Sequence, residues 1–292
     1  MLARPAPMPV RLPFRSVTSR HNPLVSRFRA AARRADPDEL VLIEGDTLVQ
    51  EAARAGWTLV SVVVADDWLE AHAQPALDEA LHPEVDRVAV PRAVLKALSP
   101  AAAPSGMVAL ARPPVSRVDP FAGGVPLIAM AYDVQDPGNL GAVARAAEAA
   151  GATGVFVCGR SADPFGWKAL RGSMGSAFRL PIVSCPAADE AVAAVRARGL
   201  RVLALTARDG ASLYDMDLRG PSALLVGGEG AGLSDDIAAL TDARVSIPMR
   251  SPVESLNVAV AAAVALYEAA RQRSTFELPT TNSQRPTANC QP

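Results

Sequence analysis

From Val125 onward the chain alternates short apolar runs with alanine-rich amphipathic runs: "PLIAMAYDV", "NLGAVARAAEAAGA", "GVFVCG", then "LRVLALTA", "SALLVGG" and "ARVSIPM". Unbroken apolar runs of this length, bounded by turn residues, predict strands buried on both faces, as in a parallel sheet covered by helices. An α/β domain with a parallel sheet is therefore expected over residues 125–273. Its last element, "VESLNVAVAAAVALYEAARQR", predicts a long helix whose alanine face lets another backbone or helix approach closely.

Residues 16–112 predict a smaller α/β domain with a less regular pattern. A helix is expected around "PLVSRFRAAARRA" and a strand at "ELVLIEG". A second helix at "DTLVQEAARAG" should be capped by Asp46 and end on Gly56, and the strand "LVSVVVAD" follows. Across 113–124 prolines and glycines thicken and periodicity lapses, which predicts a linker. Residues 274–292 are polar and proline-bearing, and a disordered tail is expected there.

Composition narrows the chemistry. Half of the 292 residues are hydrophobic, ample for packed cores, and the net charge is −1. That balance hides a basic start: Arg4, Arg11, Arg15, Arg20, Arg27, Arg29, Arg33 and Arg34 precede the first carboxylate, Asp36. Such a cluster suits a polyanion. For residues 1–15 a flexible basic tail or a transit peptide has the same appearance. Cys158, Cys185 and Cys290 form no C-x-x-C pair, so neither a disulfide framework nor a zinc site is indicated, and a reducing, cytoplasmic setting is expected. No apolar run is long enough to predict a membrane anchor.

The histidines, His21, His72 and His82, all fall in the first third. A Ser-His-Asp hydrolase or a His-ligated metal centre built within the C-terminal half is thereby excluded, and no metal is expected. Only Lys96 and Lys168 supply ammonium groups, which disfavours phosphate-loop and Schiff-base chemistry.

In open α/β sheets ligands bind beyond the carboxyl ends of the strands, so the loops after the strands carry the chemistry. Three are dense in polar or glycine residues. "DVQDPGNLGAVARAAEAAG" holds a tight turn, Asn139 and Arg145; "LLVGGEGAGLS" embeds Glu229 among glycines; "SIPMRSPVESLNVAV" carries Ser255 and Asn257 at a helix entrance. Each also has a plain structural reading: turn and helix cap, solvated helix charge, or close backbone packing. The second loop has the G-x-x-x-x-G spacing of a phosphate loop, but Leu233 occupies the position of its lysine.

Together, "DPGNLGAVARAAEAAG", "LLVGGEGAGLS" and "SIPMRSPVESLNVAVAAAVALYEA" resemble, in order and spacing, the three motifs of the SpoU (TrmH-like) class of SPOUT RNA methyltransferases. "PFGWKALRGSMGSAFRLP" is similar to the segment between the first two motifs. "VTSRHNPLVSRFRAAARR" with "LVLIEGDTLVQEAARAG" is similar to the RNA-binding substrate domain, related to a ribosomal-protein fold, that precedes the catalytic domain in many members.

The resemblance implies a deep trefoil knot, a homodimer, and S-adenosyl-L-methionine as cofactor of an RNA ribose 2′-O-methyltransferase. Carried over residue by residue, it implies catalytic roles for Asn139, Arg145, Glu229, Ser255 and Asn257. Cofactor contacts are implied at Thr206, Gly227, Gly228, Ile247, Met249 and Leu256, and RNA contacts at Arg20, Asn22, Arg27, Arg33 and Arg34. Many members have asparagine where this chain has Gly228, a departure that touches loop stiffness more than catalysis.

Arg145 is a poor free base, because a guanidinium stays protonated. Its expected work is to fix a phosphate or stabilise a developing alkoxide, with Ser255, Asn139 or water relaying the proton. The appended domain favours ribosomal RNA over transfer RNA by analogy. Two other readings compete: a nucleotide enzyme on a dinucleotide fold, disfavoured by the late position of the glycine loop, and a catalytically silent RNA-binding protein.

Overall fold

The apolar runs pair into two separate sheets in the computed structural model, which describes residues 13–72, 81–113, 119–228 and 232–273. Most of the expected basic N-terminus, part of the 113–124 linker and the 274–292 tail lie outside the described residues.

In the N-terminal part β1 (Arg15–Ser16), β2 (Val41–Glu44), β3 (Thr58–Ala65), β4 (Asp86–Val90) and β5 (Met107–Arg112) form a five-stranded mixed sheet in the order β1-β4-β3-β5-β2. β4 runs parallel to β3, whereas β5 runs antiparallel to both β3 and β2. The helix Pro23–Ala32 starts where Asn22 accepts a hydrogen bond from the Leu24 amide and proline follows as first helical residue. The helix Asp46–Arg54 begins one residue earlier than a capping Asp46 requires. Gly45, at φ +112°, takes the cap position, and Asp46 sits in the first turn, where its carboxylate favours the helix N-terminus.

The C-terminal sheet has seven strands: β6 (Leu127–Tyr132), β7 (Gly154–Cys158), β8 (Ile182–Ser184), β9 (Arg201–Leu205), β10 (Ala211–Ser212), β11 (Ser222–Gly227) and β12 (Ala243–Ser246). All pair in parallel, in the order β10-β12-β9-β11-β6-β7-β8. Both faces are covered, which is why the runs are unbroken. Leu127, Ala129 and Ala131 of β6 pack into one core and the alternate Ile128 and Met130 into another; Leu224 and Val226 against Ala223 and Leu225 repeat this in β11. β8 and β10, of three and two residues, are too short to carry a periodic signal.

The insertion of β11 between β6 and β9 positions the site. The loops after β6, β9, β11 and β12 leave the same end of the sheet as neighbours although they are far apart in sequence.

The two parts share one core. Trp57 is buried, donates its indole N–H to the Phe178 carbonyl at 3.2 Å, and meets the rings of Phe178 and Phe165 edge-on. Arg179 bridges Glu148 of the C-terminal domain and Glu51 of the N-terminal one. Arg34 pairs with Asp163 across the same junction. This is a packed interface of aromatic and charge-assisted contacts.

The final helix, Val258–Gln272, is anchored at its far end by Arg273. Its guanidinium donates to the carbonyls of Leu218 (2.9 Å), Val125 (3.0 Å), Pro126 (3.4 Å) and Gly220 (2.6 Å), tying the helix terminus to the entrances of β6 and β11. Half-burial pushes its pKa below the usual arginine value, the mark of a charge held mainly by neutral carbonyls. Arg273→Ala should lower unfolding stability by about 2 kcal/mol, since those carbonyls lose a charged donor. Urea unfolding checks this: the midpoint falls with an unchanged m-value, and a loss under about 0.5 kcal/mol would show that water replaces the guanidinium.

Candidate active site

The first loop leaves β6 at Tyr132 and enters the helix Pro137–Ala149. Asp136 caps that helix by accepting from the Asn139 amide at 2.8 Å, with Pro137 as first helical residue. The turn-and-cap reading of this loop is thus correct, and it coexists with a second role. Capping holds Asn139 at the first turn, where its side-chain carbonyl accepts a hydrogen bond from the Asn257 side-chain amide at 3.1 Å. Asn257 is itself the cap of the final helix, accepting from the amides of Ala259 (2.9 Å) and Val260 (3.3 Å). Two helix N-termini therefore meet, the first-turn Asn139 of one against the cap Asn257 of the other, with exposed Ser255 two residues before that cap.

Beside this junction lies a cavity of about 470 Å³, within the size range of cofactor sites. Thr206 after β9, Gly227 and Gly228 at the end of β11, and Ile247, Met249 and Leu256 after β12 all line it, as do Ser255 and Asn257. Sequence reasoning missed Ala207, Leu233, Val258 and Ala261, which also line it. The last two stand three apart on one helix, a spacing that shares a face. Leu233, in the lysine position of a phosphate loop, gives the wall an apolar side chain. No charged side chain lines the cavity among the described residues.

Gly227 and Gly228 are required by close approach. A β-carbon on Gly227 would lie 2.4 Å from the Gly232 carbonyl carbon, and one on Gly228 would lie 2.0 Å from the Asp133 carbonyl oxygen. Along this backbone path, steric exclusion by Asp133, in the loop after β6, explains glycine at 228, beyond any effect on loop stiffness. A bridge between Gly228 and Gly232 pinches the loop shut. Glu229, expected to be catalytic, lies outside the described residues.

Arg145 is exposed on the helix Pro137–Ala149 and has no partner among the described residues. It stands six residues beyond Asn139, about 9 Å further along the axis. Neither thiol of the described residues suits nucleophilic work. Burial, with Cys185 nearby, pushes the Cys158 thiol up to about 12, and burial also raises Cys185.

The five residues expected to meet RNA divide. Arg20 and Arg33 are exposed and without partners among the described residues. Asn22 caps its helix, Arg27 pairs with Asp38 at 2.9 Å, and Arg34 is engaged with Asp163 and with the carbonyls of Glu39 (3.5 Å) and Leu40 (3.4 Å).

Comparison with known proteins places this architecture. Residues 126–267 match the SpoU rRNA Methylase family and residues 28–109 match an MRM3-like substrate binding domain. An uncharacterized tRNA/rRNA methyltransferase of Synechocystis sp. is 33% identical over 88% of this chain and 94% of its own length. A 23S rRNA (uridine(2479)-2′-O)-methyltransferase of Streptomyces viridochromogenes is 39% identical over 61% of this chain and 64% of its own. Among solved structures, the SpoU methyltransferase AviRb from Streptomyces viridochromogenes, in complex with the cofactor AdoMet, superposes with a TM-score of 0.77 at 29% identity, covering 88% of this chain and all of that one (100%). The chain belongs to the SpoU rRNA methylase family.

Proposed function

We propose that the protein is a cytoplasmic S-adenosyl-L-methionine-dependent RNA ribose 2′-O-methyltransferase that acts on ribosomal RNA. The observation that carries this reading is the Asn139–Asn257 contact at the edge of the cavity, since it joins the first and third motifs where the cofactor residues converge. The cavity fits the cofactor: its size suffices, its walls are apolar with backbone at Gly227 and Gly228, and no cationic side chain among the described residues opposes a sulfonium. When bound, the cofactor supplies an electrophilic methyl group. The protein's part is to hold the ribose in line, lower the cost of charge on its 2′-oxygen and accept its proton.

Arg145 provides the positive charge that binds a backbone phosphate or the developing alkoxide. Ser255 is read as passing the hydroxyl proton to water, with Asn139 orienting the relay through hydrogen bonds. Glu229 is assigned to the catalytic set by the motif resemblance alone. Arg20 and Arg33 hold the RNA backbone on the substrate domain, and the other three N-terminal residues keep that domain in shape and orientation.

The catalytic domain is also read as knotted and dimeric. The insertion of β11 between β6 and β9 supports the knot. Val253, Val260 and Tyr267, about half-exposed on and before the final helix, support a partner subunit there.

Thermal shift tests the cofactor. S-adenosylmethionine or S-adenosylhomocysteine at about 100-fold excess over Kd should stabilise by about 2.7 kcal/mol, while ATP and NAD should not. No shift with the first pair would leave a silent RNA-binding protein as the better reading. Mapping ribose methylation in RNA from cells with and without the gene tests the substrate. One lost site in ribosomal RNA is expected, and a change confined to transfer RNA would overturn that choice.

A further inference from the structure

S-adenosylmethionine carries a zwitterion, a carboxylate and an ammonium on one carbon, yet the described walls of the cavity offer it no charge. Opposite charges stand next in sequence to two lining residues. Arg208 follows the lining residue Ala207 in the loop after β9, and Glu254 precedes the lining residue Ser255 in the loop after β12. Their side chains meet at 2.7 Å across 46 residues of sequence, joining the loops that follow the neighbouring strands β9 and β12. The pair is exposed on both sides, at 68% and 77%. An exposed ion pair contributes little to stability, so its members can exchange each other for ligand groups at small cost. A guanidinium suits a carboxylate bidentately, and a carboxylate suits an ammonium.

We propose that Arg208 and Glu254 form a clamp for the amino-acid end of the cofactor, the guanidinium taking its carboxylate and Glu254 its ammonium. This rests on the S-adenosylmethionine reading of the cavity. The clamp makes the site selective for the whole amino-acid-bearing cofactor over its nucleoside part.

Calorimetric titration with S-adenosylhomocysteine and with 5′-methylthioadenosine, which lacks the amino-acid end, tests the clamp. Arg208→Ala and Glu254→Gln should each weaken S-adenosylhomocysteine about tenfold, the scale of one charge-assisted hydrogen bond, and leave methylthioadenosine within about twofold. The swap Arg208→Glu with Glu254→Arg, which keeps an ion pair but inverts its polarity, should not restore affinity. Arg250→Ala, on the same loop as Glu254, should leave the preference intact. Equal losses for both ligands, or recovery in the swap, would mean that the pair only closes the cavity mouth and would overturn the proposal. If the unaltered protein binds neither ligand, the cofactor reading fails and the clamp with it.

Discussion

Gly228→Ala should abolish measurable S-adenosylhomocysteine binding, a loss of more than about 100-fold, and cost about 3 kcal/mol or more of stability. The added methyl would meet the Asp133 carbonyl oxygen at 2.0 Å and its carbon at 2.7 Å, both of them backbone atoms that cannot turn aside. Asp133 has no room to retreat. Its amide donates to the Cys158 carbonyl at 3.2 Å, and its carboxylate accepts from the Arg160 amide at 2.6 Å. The next amide, of Val134, donates to the Ser161 hydroxyl at 3.0 Å. The glycine loop must therefore move instead, and that loop is a wall of the cavity. Calorimetry with S-adenosylhomocysteine and urea unfolding would measure the two effects. Binding within about threefold of the unaltered protein would show that the contact between Gly228 and Asp133 is compliant.

Arg145→Ala should lower the single-turnover rate of RNA methylation by about 10²- to 10³-fold, as removal of one preorganised electrostatic donor does elsewhere. Cofactor affinity should be unchanged, because Arg145 does not line the cavity. Arg145→Lys separates charge from shape. If the bidentate fork matters, lysine recovers less than about a tenth of the lost rate. An Ala variant at full rate would remove Arg145 from the mechanism. A fully active Lys variant with an unchanged pH–rate profile would reduce its role to charge alone.

How much was readable in advance differs by element. The strands β6, β7, β9, β11 and β12 are legible because burial on both faces forces consecutive apolar residues. Asp136 and Pro137 are legible as helix-start chemistry, because capping acts over three or four residues, whereas at the last helix Ser255 looks like the cap and the structure gives that place to Asn257. β8 and β10 are not, since two or three residues carry no period. The fates of the N-terminal arginines are not legible either. Arg34 and Arg33 are neighbours in sequence, yet one meets Asp163, 129 residues away, and the other meets solvent.

The sequence by itself determined the local elements, the absence of histidine from the C-terminal half, and the three motifs that mark the family. Only the tertiary structure decided that Asn139 and Asn257, 118 residues apart, share a hydrogen bond. It also decided that Gly228 is fitted to the carbonyl of Asp133 and that Arg208 meets Glu254 beside the cavity-lining loops. The physical reason is range. Periodicity, propensity and caps act between residues a few positions apart, whereas the order of strands in a parallel sheet is set by the burial of whole faces, which no local stretch encodes.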